Sequence, residues 1–508
     1  MNDYGTRPRI GLFLGIALFF LILFLPTPEG LSPEGKYVGA IALLMAVWWI
    51  SEALPIAAIA LIPIALFPTF GIMTSQEVTN QYADHIIYLF MGGFLIAVTM
   101  ERWELHKRVA LNIIRMVGTG PSQIVLGFMI ASALLSMWIS NTATAMMMVP
   151  IGLAVIKQVS EIIDQQQMQH IDTRPEHFRF AIALMLGIAY ACSIGGVGTI
   201  IGTPPNTVLV GVVESSFGQT ITFAQWMAFG IPFVVVMLGL CWIYLVRVAF
   251  PPELSTLPGG KEFIQREVDQ LGKMTKEEFR VAIVFACVAL AWILRGFIDI
   301  EALDKVHDST IAIAGALVLF GMPSDFKKGV FLLDWNTAVK IPWGIIILFG
   351  GGLALAHGFS TSGLAEWIAQ SLTVLEGVHI LVMLFGVILL TVMLTEITSN
   401  TATATMLMPI LSSMAVAMMI HPYALMVSAA LAASFAFMLP VATPPNAVVF
   451  GSSFITIPQM AKAGIWMNLI SVFIITIMTF ILLPLIWGID LTALPDWVSQ
   501  LIMPAGNN

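Results

Sequence analysis

The chain has 508 residues, 58% of them hydrophobic and only 10% charged, against about 25% charged in an ordinary soluble domain. Twenty-two Lys/Arg and 30 Asp/Glu cannot clothe a water-facing surface of that size, which excludes a cytosolic enzyme, a nucleic-acid binder and a disordered scaffold. The net charge of −8 says little about partners, and three cysteines inside apolar runs (Cys192, Cys241, Cys287) exclude a disulfide framework.

A bilayer-spanning helix needs about 20 apolar residues. Such runs recur along the whole chain, and the reading is an all-α polytopic membrane protein with the lipid bilayer as its solvent. Taken in order, the candidate spans are 10–26, 34–52, 54–70, 84–115, 179–214, 224–250, 279–298, 308–322, 342–372, 423–453 and 465–488. The first follows Arg7 and Arg9 but lacks a small-residue cleavage site, so it reads as an uncleaved helix. Two more apolar stretches, 119–155 and 378–419, are too long for one helix and carry a polar cluster near the middle. They read as re-entrant hairpins. With the N-terminus in the cytoplasm, all basic residues but Lys36, Arg295 and Lys305 fall on cytoplasmic segments, and the C-terminus falls outside.

The chain repeats itself. Ser140-Asn141-Thr142-Ala143-Thr144-Ala145 returns as Ser399-Asn400-Thr401-Ala402-Thr403-Ala404, displaced by 259. Phe90 with Gly92, Gly93 and Ala97 returns as Phe349 with Gly351, Gly352 and Ala356, and Leu105 and Ala110 map to Leu364 and Ala369, at the same displacement. Gly202-Thr203-Pro204-Pro205-Asn206 returns as Ala442-Thr443-Pro444-Pro445-Asn446, displaced by 240; the difference matches a polar insert at 156–178. Five spans plus a hairpin make the second copy inverted, the layout of secondary transporters.

Each motif has a physical use at membrane depth, where irregular backbone survives only beside protein or a water-filled cavity. Ser, Asn and Thr supply neutral oxygens and donors, and a helix start at each tip attracts carboxylate. Paired prolines remove two donors and unwind the helix, which frees the carbonyls of Thr199, Gly202 and Ala442 as cation ligands. No Lys or Arg lies in either hairpin or broken helix beyond Arg179. A dianion there needs a co-bound cation, because unpaired charge is costly to desolvate.

These stretches, with Trp138-Ile139 before the first tip, Leu394-Thr395-Glu396-Ile397-Thr398 before the second, and Trp49-Ile50-Ser51-Glu52-Ala53-Leu54-Pro55, resemble the divalent anion/sodium symporter family of bacterial dicarboxylate and animal citrate transporters. The resemblance implies a homodimeric elevator in the bacterial inner membrane. Residues 1–117 and 254–374 would form a scaffold, and 118–253 and 375–508 a moving transport domain. It also implies that Ser140, Asn141, Thr142, Thr203, Pro204, Ser399, Asn400, Thr401, Thr443 and Pro444 hold the substrate carboxylates. Sodium would bind at Ser136, Ser140, Asn141 and Gly202, and at Thr395, Thr398, Asn400 and Ala442, with no organic cofactor. Sodium-coupled uptake of succinate, malate or fumarate is the leading expectation, a sodium-independent exchanger the alternative, and a passive anion channel a distant third.

Other residues invite plainer readings. Glu396 fits a cap or internal tie better than an ion ligand, and Glu52 a turn. His85 and His357 are isolated and make poor metal sites. Gly195-Gly196-Val197-Gly198 lacks the Lys-Ser/Thr of a phosphate loop and suits close helix packing. The segment 253–281, with Pro258-Gly259-Gly260, reads as a cytoplasmic linker.

Overall fold

The computed structural model describes residues 5–118, 120–166, 171–254, 260–295, 306–371 and 377–498; Pro258, Gly259, Lys305 and the C-terminal ten residues lie outside them. The first half contains α1 (Thr6–Phe24), α2 (Pro33–Ser51), α3 (Ile56–Ile59), α4 (Ile62–Thr69), α5 (Ser75–Gln81) and α6 (His85–Arg102). It continues with α7 (Leu105–Val117), α8 (Pro121–Ser136), α9 (Asn141–Gln165), α10 (Arg179–Gly196), α11 (Pro204–Phe217) and α12 (Phe223–Ile243), the last extended by a π turn. The second half contains α13 (Gly260–Gln270), α14 (Lys276–Arg295), α15 (Asp308–Gly321), α16 (Trp335–Ala338), α17 (Trp343–Thr361) and α18 (Leu364–Ser371). After them come α19 (Ile380–Thr395), α20 (Asn400–Ala417), α21 (Pro422–Ala433), α22 (Pro444–Phe450) and α23 (Ile457–Trp487). A two-stranded ribbon, β1 (Pro323–Asp325) and β2 (Val330–Phe331), follows α15. Among the described residues, seven helices are long and apolar enough to cross a membrane.

Several expected spans are broken, each for a local reason. The run 84–115 divides at Glu104, which adopts a left-handed conformation (φ 53°) and starts the amphipathic α7. The run 342–372 divides at Gly363 (φ 74°) before α18. The run 54–70 splits into α3 and α4 around Ala60-Leu61. Thus Leu105 and Leu364, already matched by the repeat, open corresponding short helices. The second arm of each hairpin also carries a proline at the same displacement, Pro150 in α9 and Pro409 in α20.

Packing is dense around the first broken helix. All of α10 from Phe180 to Gly196 is buried. It lies along α8 so closely that a methyl group on Gly195 would overlap the backbone of Ala133. The glycine run is therefore a helix contact, as its composition suggests. At one end of the molecule Arg102 pairs with Asp334 (2.6 Å) and Arg108 with Glu278 (3.0 Å). At the other, Arg295 pairs with Asp308 (2.9 Å), and His85 Nε2 lies 2.9 Å from Glu214 Oε1. The His85 and His307 rings sit 4.6 Å apart, so His85 is not isolated. No group of His, Cys, Asp and Glu among the described residues could hold a metal ion.

Candidate functional site

The α8–α9 and α19–α20 hairpins turn at the two Ser-Asn-Thr triplets. Ser140 caps α9, its Oγ accepting from Ala143 N (3.2 Å), and Asn141 and Asn400 are the first residues of their helices. Behind each Asn stands a hydroxyl. Ser136 Oγ donates to Cys192 O (2.8 Å) and touches the Asn141 amide oxygen. Thr395 Oγ1 contacts Asn400 Oδ1 (2.7 Å) and Ala433 O (3.0 Å).

The Asn141 amide faces three oxygens at once: Ser136 Oγ, Cys192 O at 3.2 Å and Gly202 O at 3.3 Å. Turned nitrogen-first, the amide hydrogen-bonds them. Turned oxygen-first, it completes a cluster of four oxygens of the hard-ligand kind a small cation needs. A side chain on Gly196 would intrude here, within 2.7 Å of Asn141 Oδ1 and 3.0 Å of Gly202 O.

The unwound segments are held open by the asparagines that end their motifs. Asn206 Nδ2 donates to Gly196 O (3.4 Å), Val197 O (3.2 Å) and Thr199 O (2.8 Å). Asn446 Nδ2 donates to Ala436 O (3.0 Å) and Leu439 O (3.1 Å). Both asparagines are fully buried. The Thr199 carbonyl is therefore engaged by an amide, which corrects the expectation that it is free for a cation. Among the described residues no backbone group donates to the Gly202 or Ala442 carbonyl, and Gly202 O meets only the Asn141 amide turned nitrogen-first.

Both triplets, residues 202–204 and residues 442–444 line one cavity of about 470 Å³. It brings together all ten residues expected at the substrate and, with Gly202 and Ala442, one carbonyl from each broken helix. Ser136 and Thr395 stand behind its wall. Thr398 does not join them through its side chain, since its hydroxyl bonds Leu394 O (2.9 Å) and Thr403 Oγ1.

Sequence reasoning missed the rest of the lining. Phe94, Ile56, Gly344 and Ile345 come from α6, α3 and α17, and no polar pattern marks them. Glu52 both closes α2 in a left-handed conformation (φ 54°) and lines the cavity. The carbonyls of Cys192 and Ala433 were invisible because any helical residue has one. Among the described residues no Lys, Arg or His lines the cavity, but Arg7 reaches the second tip from α1, donating to Ile397 O (2.6 Å) and Ile50 O. Glu396 has a structural role, but its side chain neither caps nor salt-bridges within its hairpin: Oε1 accepts from Phe437 N (2.6 Å), Met438 N (2.9 Å) and Asn468 Nδ2 (2.7 Å), all outside it.

An internally repeated bundle of apolar helices, with a cavity carrying two Ser-Asn-Thr triplets where its helices break, defines a polytopic membrane transporter. The chain belongs to the family described as the sodium:sulfate symporter transmembrane region, whose model matches residues 8–491. It is 49% identical over 495 residues to the sodium-dependent dicarboxylate transporter SdcS of Staphylococcus saprophyticus, covering 97% of this chain and 94% of that one. It is 48% identical over 494 residues to SdcS of Staphylococcus aureus strain MRSA252, covering 96% and 94%. In fold it is similar to the Alcanivorax borkumensis YdaH transporter (TM-score 0.53, 12% identity, covering 96% of this chain and 98% of that one). It is also similar to Neisseria gonorrhoeae MtrF (TM-score 0.55, 10% identity, covering 94% and 95%).

Proposed function

We propose that the chain is a secondary active transporter that carries C4-type dicarboxylates into the cell together with sodium. The observation that carries this reading is the pairing of two equivalent oxygen clusters around one cavity that, among the described residues, no Lys, Arg or His lines. Asn141, Pro204, Asn400 and Pro444 each begin a helix and each lines that cavity, so four helix starts face its contents. Helix N-termini favour anions. The two Ser-Asn-Thr triplets then hold one carboxylate each, helped by Thr203, Pro204, Thr443 and Pro444.

Sodium supplies the charge that no side chain does. One ion is held by Ser136, Ser140, Asn141 and the Gly202 carbonyl, the other by Thr395, Asn400 and the Ala442 carbonyl. Thr398 is left with its own carbonyl to offer. Since the ions and the dianion share one pocket, each raises the other's affinity by the same factor. The names of the SdcS relatives favour a dicarboxylate over the sulfate in the family's description.

In our reading the two hairpins are re-entrant, the N-terminus is cytoplasmic and the C-terminus external. The transport domain, 118–253 with 375–508, slides against the scaffold of a homodimer in the inner membrane. Unequal packing of equivalent helices supports this: α7 lies along α8, the first arm of its hairpin, whereas its counterpart α18 lies along α20, the second arm. Repeats in different arrangements are what alternating access requires.

Uptake of labelled succinate into proteoliposomes, with sodium or choline outside, tests the reading. Uptake should require sodium, and sulfate should compete poorly. Equal uptake in choline would replace symport by sodium-independent exchange.

A further inference from the structure

One buried acid shapes the second half's oxygen cluster without touching the cavity. Glu396 follows Thr395 at the end of α19 and is 4% exposed. In an unbroken helix the Phe437 N–H would bond the Ala433 carbonyl four residues back. Here that carbonyl accepts from Thr395 Oγ1 (3.0 Å), and the Phe437 N–H goes to Glu396 Oε1 (2.6 Å). Two consecutive side chains thus take over the two ends of one missing helical bond. The Met438 N–H, next in line, also goes to Glu396.

The first half keeps the hydroxyl, Ser136 Oγ donating to the Cys192 carbonyl (2.8 Å), but lacks the acid and the early helix end. The repeat places Met137 where the second half has Glu396. There α10 stays helical to Gly196, whereas α21 stops at Ala433, three residues short of Ala436, the equivalent of Gly196. Glu396 Oε2 is buried and accepts no well-formed hydrogen bond among the described residues. A buried polar atom left unpaired costs about 1–3 kcal/mol. Since the fold accepts methionine at the equivalent place, packing alone does not explain the acid.

We propose that Glu396 is a positioning residue for the second sodium site. By accepting the Phe437 and Met438 N–H groups it keeps residues 434–443 unwound. That leaves the Thr395 hydroxyl against Asn400 and brings the Ala442 carbonyl to the cavity wall. This rests on the reading of the hairpin tips as the sodium and dicarboxylate site.

The test compares Glu396→Gln, which keeps an acceptor oxygen, with Glu396→Met, which copies the first half and accepts nothing. Each full-length variant is reconstituted, and succinate uptake is followed as sodium is varied. Loss of the Phe437 and Met438 hydrogen bonds, together with that from Asn468, should raise the half-saturating sodium concentration of Glu396→Met about tenfold or more. The succinate KM at saturating sodium should stay near wild type, and Glu396→Gln should stay within about threefold in sodium. If Glu396→Met fails to fold, Glu396→Asp, one methylene too short to hold both N–H groups, should show the same sodium shift. A purely structural role would lower yield and maximal rate with the sodium half-saturation unmoved, and would overturn the proposal. So would a Gln variant as impaired in sodium as the Met or Asp variant. Asn400→Ala runs alongside: wild-type sodium activation there would remove the site reading itself, whereas its loss beside an unshifted Glu396→Met removes only the positioning role.

Discussion

Phe90 and Phe349 occupy the same position in the two repeats, and their rings touch, with centroids 4.8 Å apart. A residue that meets its own counterpart lies on the axis relating the two copies. Here α6 and α17 meet on that axis, and Phe94, one turn along α6, lines the cavity. The two triplets reach the cavity from opposite halves of the chain, so one dianion can be gripped at both ends by the same chemistry used twice.

Replacing Asn141 or Asn400 by Asp keeps the oxygen and exchanges the donor for a negative charge. Like charges within about 4 Å repel by roughly 4 kcal/mol at an effective dielectric near 20. Both variants should lose succinate transport yet retain expression and stabilisation by sodium in a thermal-shift assay, while Asn→Ala should lose the response to both. Near wild-type transport by both Asp variants would make the tips simple turns.

Asn206 and Asn446 are predicted to matter for stability more than for recognition. Asn206→Leu strands two buried carbonyls, Gly196 and Thr199, since Val197 keeps the Trp226 indole, and Asn446→Leu strands one, Ala436, since Leu439 keeps the Ala442 N–H. Each stranded buried acceptor costs about 1–3 kcal/mol. In detergent both variants should melt well below wild type, Asn206→Leu the lower of the two.

These asparagines mark the boundary of what could be read from the chain. The repeat, the hairpin tips and the broken helices were legible because polar residues and prolines are conspicuous in an apolar background. Asn206 and Asn446 were visible as letters of a motif, but their task, bonding backbone seven to ten residues upstream, exists only once the helix has unwound. The carbonyls of Cys192 and Ala433 carry no side-chain signature at all. The breaks at Glu104 and Gly363 lie in polar stretches, Glu101 to Arg108 and Ser360 to Gly363, that the spans 84–115 and 342–372 read across, because hydropathy averaged over a span does not register a left-handed residue. His85 was misjudged for a related reason: its partner Glu214 lies more than a hundred residues away.

The His85–Glu214 pair joins α6 to α11, which belong to the proposed scaffold and transport domain respectively. Cysteines at these two positions, in a chain lacking Cys192, Cys241 and Cys287, should be bridged by a short bifunctional thiol reagent. Bridging should arrest succinate uptake, and a cleavable reagent should restore it on reduction. Undiminished uptake by the bridged protein would mean that the two helices keep their relative position during transport.

The proposed orientation has its own check. Single cysteines at Gln165 and Lys273 should react with an impermeant thiol reagent only when it reaches the cytoplasmic face. One at Glu366, on α18, should react from outside. Labelling of Lys273 and Glu366 from one side would require a different number of crossings.

The contact of Gly195 with Ala133 bears on how any such motion is divided. Where α8 and α10 meet backbone to backbone, no layer of side chains remains to slide or re-pack. At that contact the first hairpin and the first broken helix are locked together, and ions bound there as proposed would travel in a cage of constant shape. Selectivity among cations would then rest on the fixed spacing of its oxygens, and a Gly195→Val exchange, which drives a side chain into the Ala133 backbone, should be felt first as lost folding or stability.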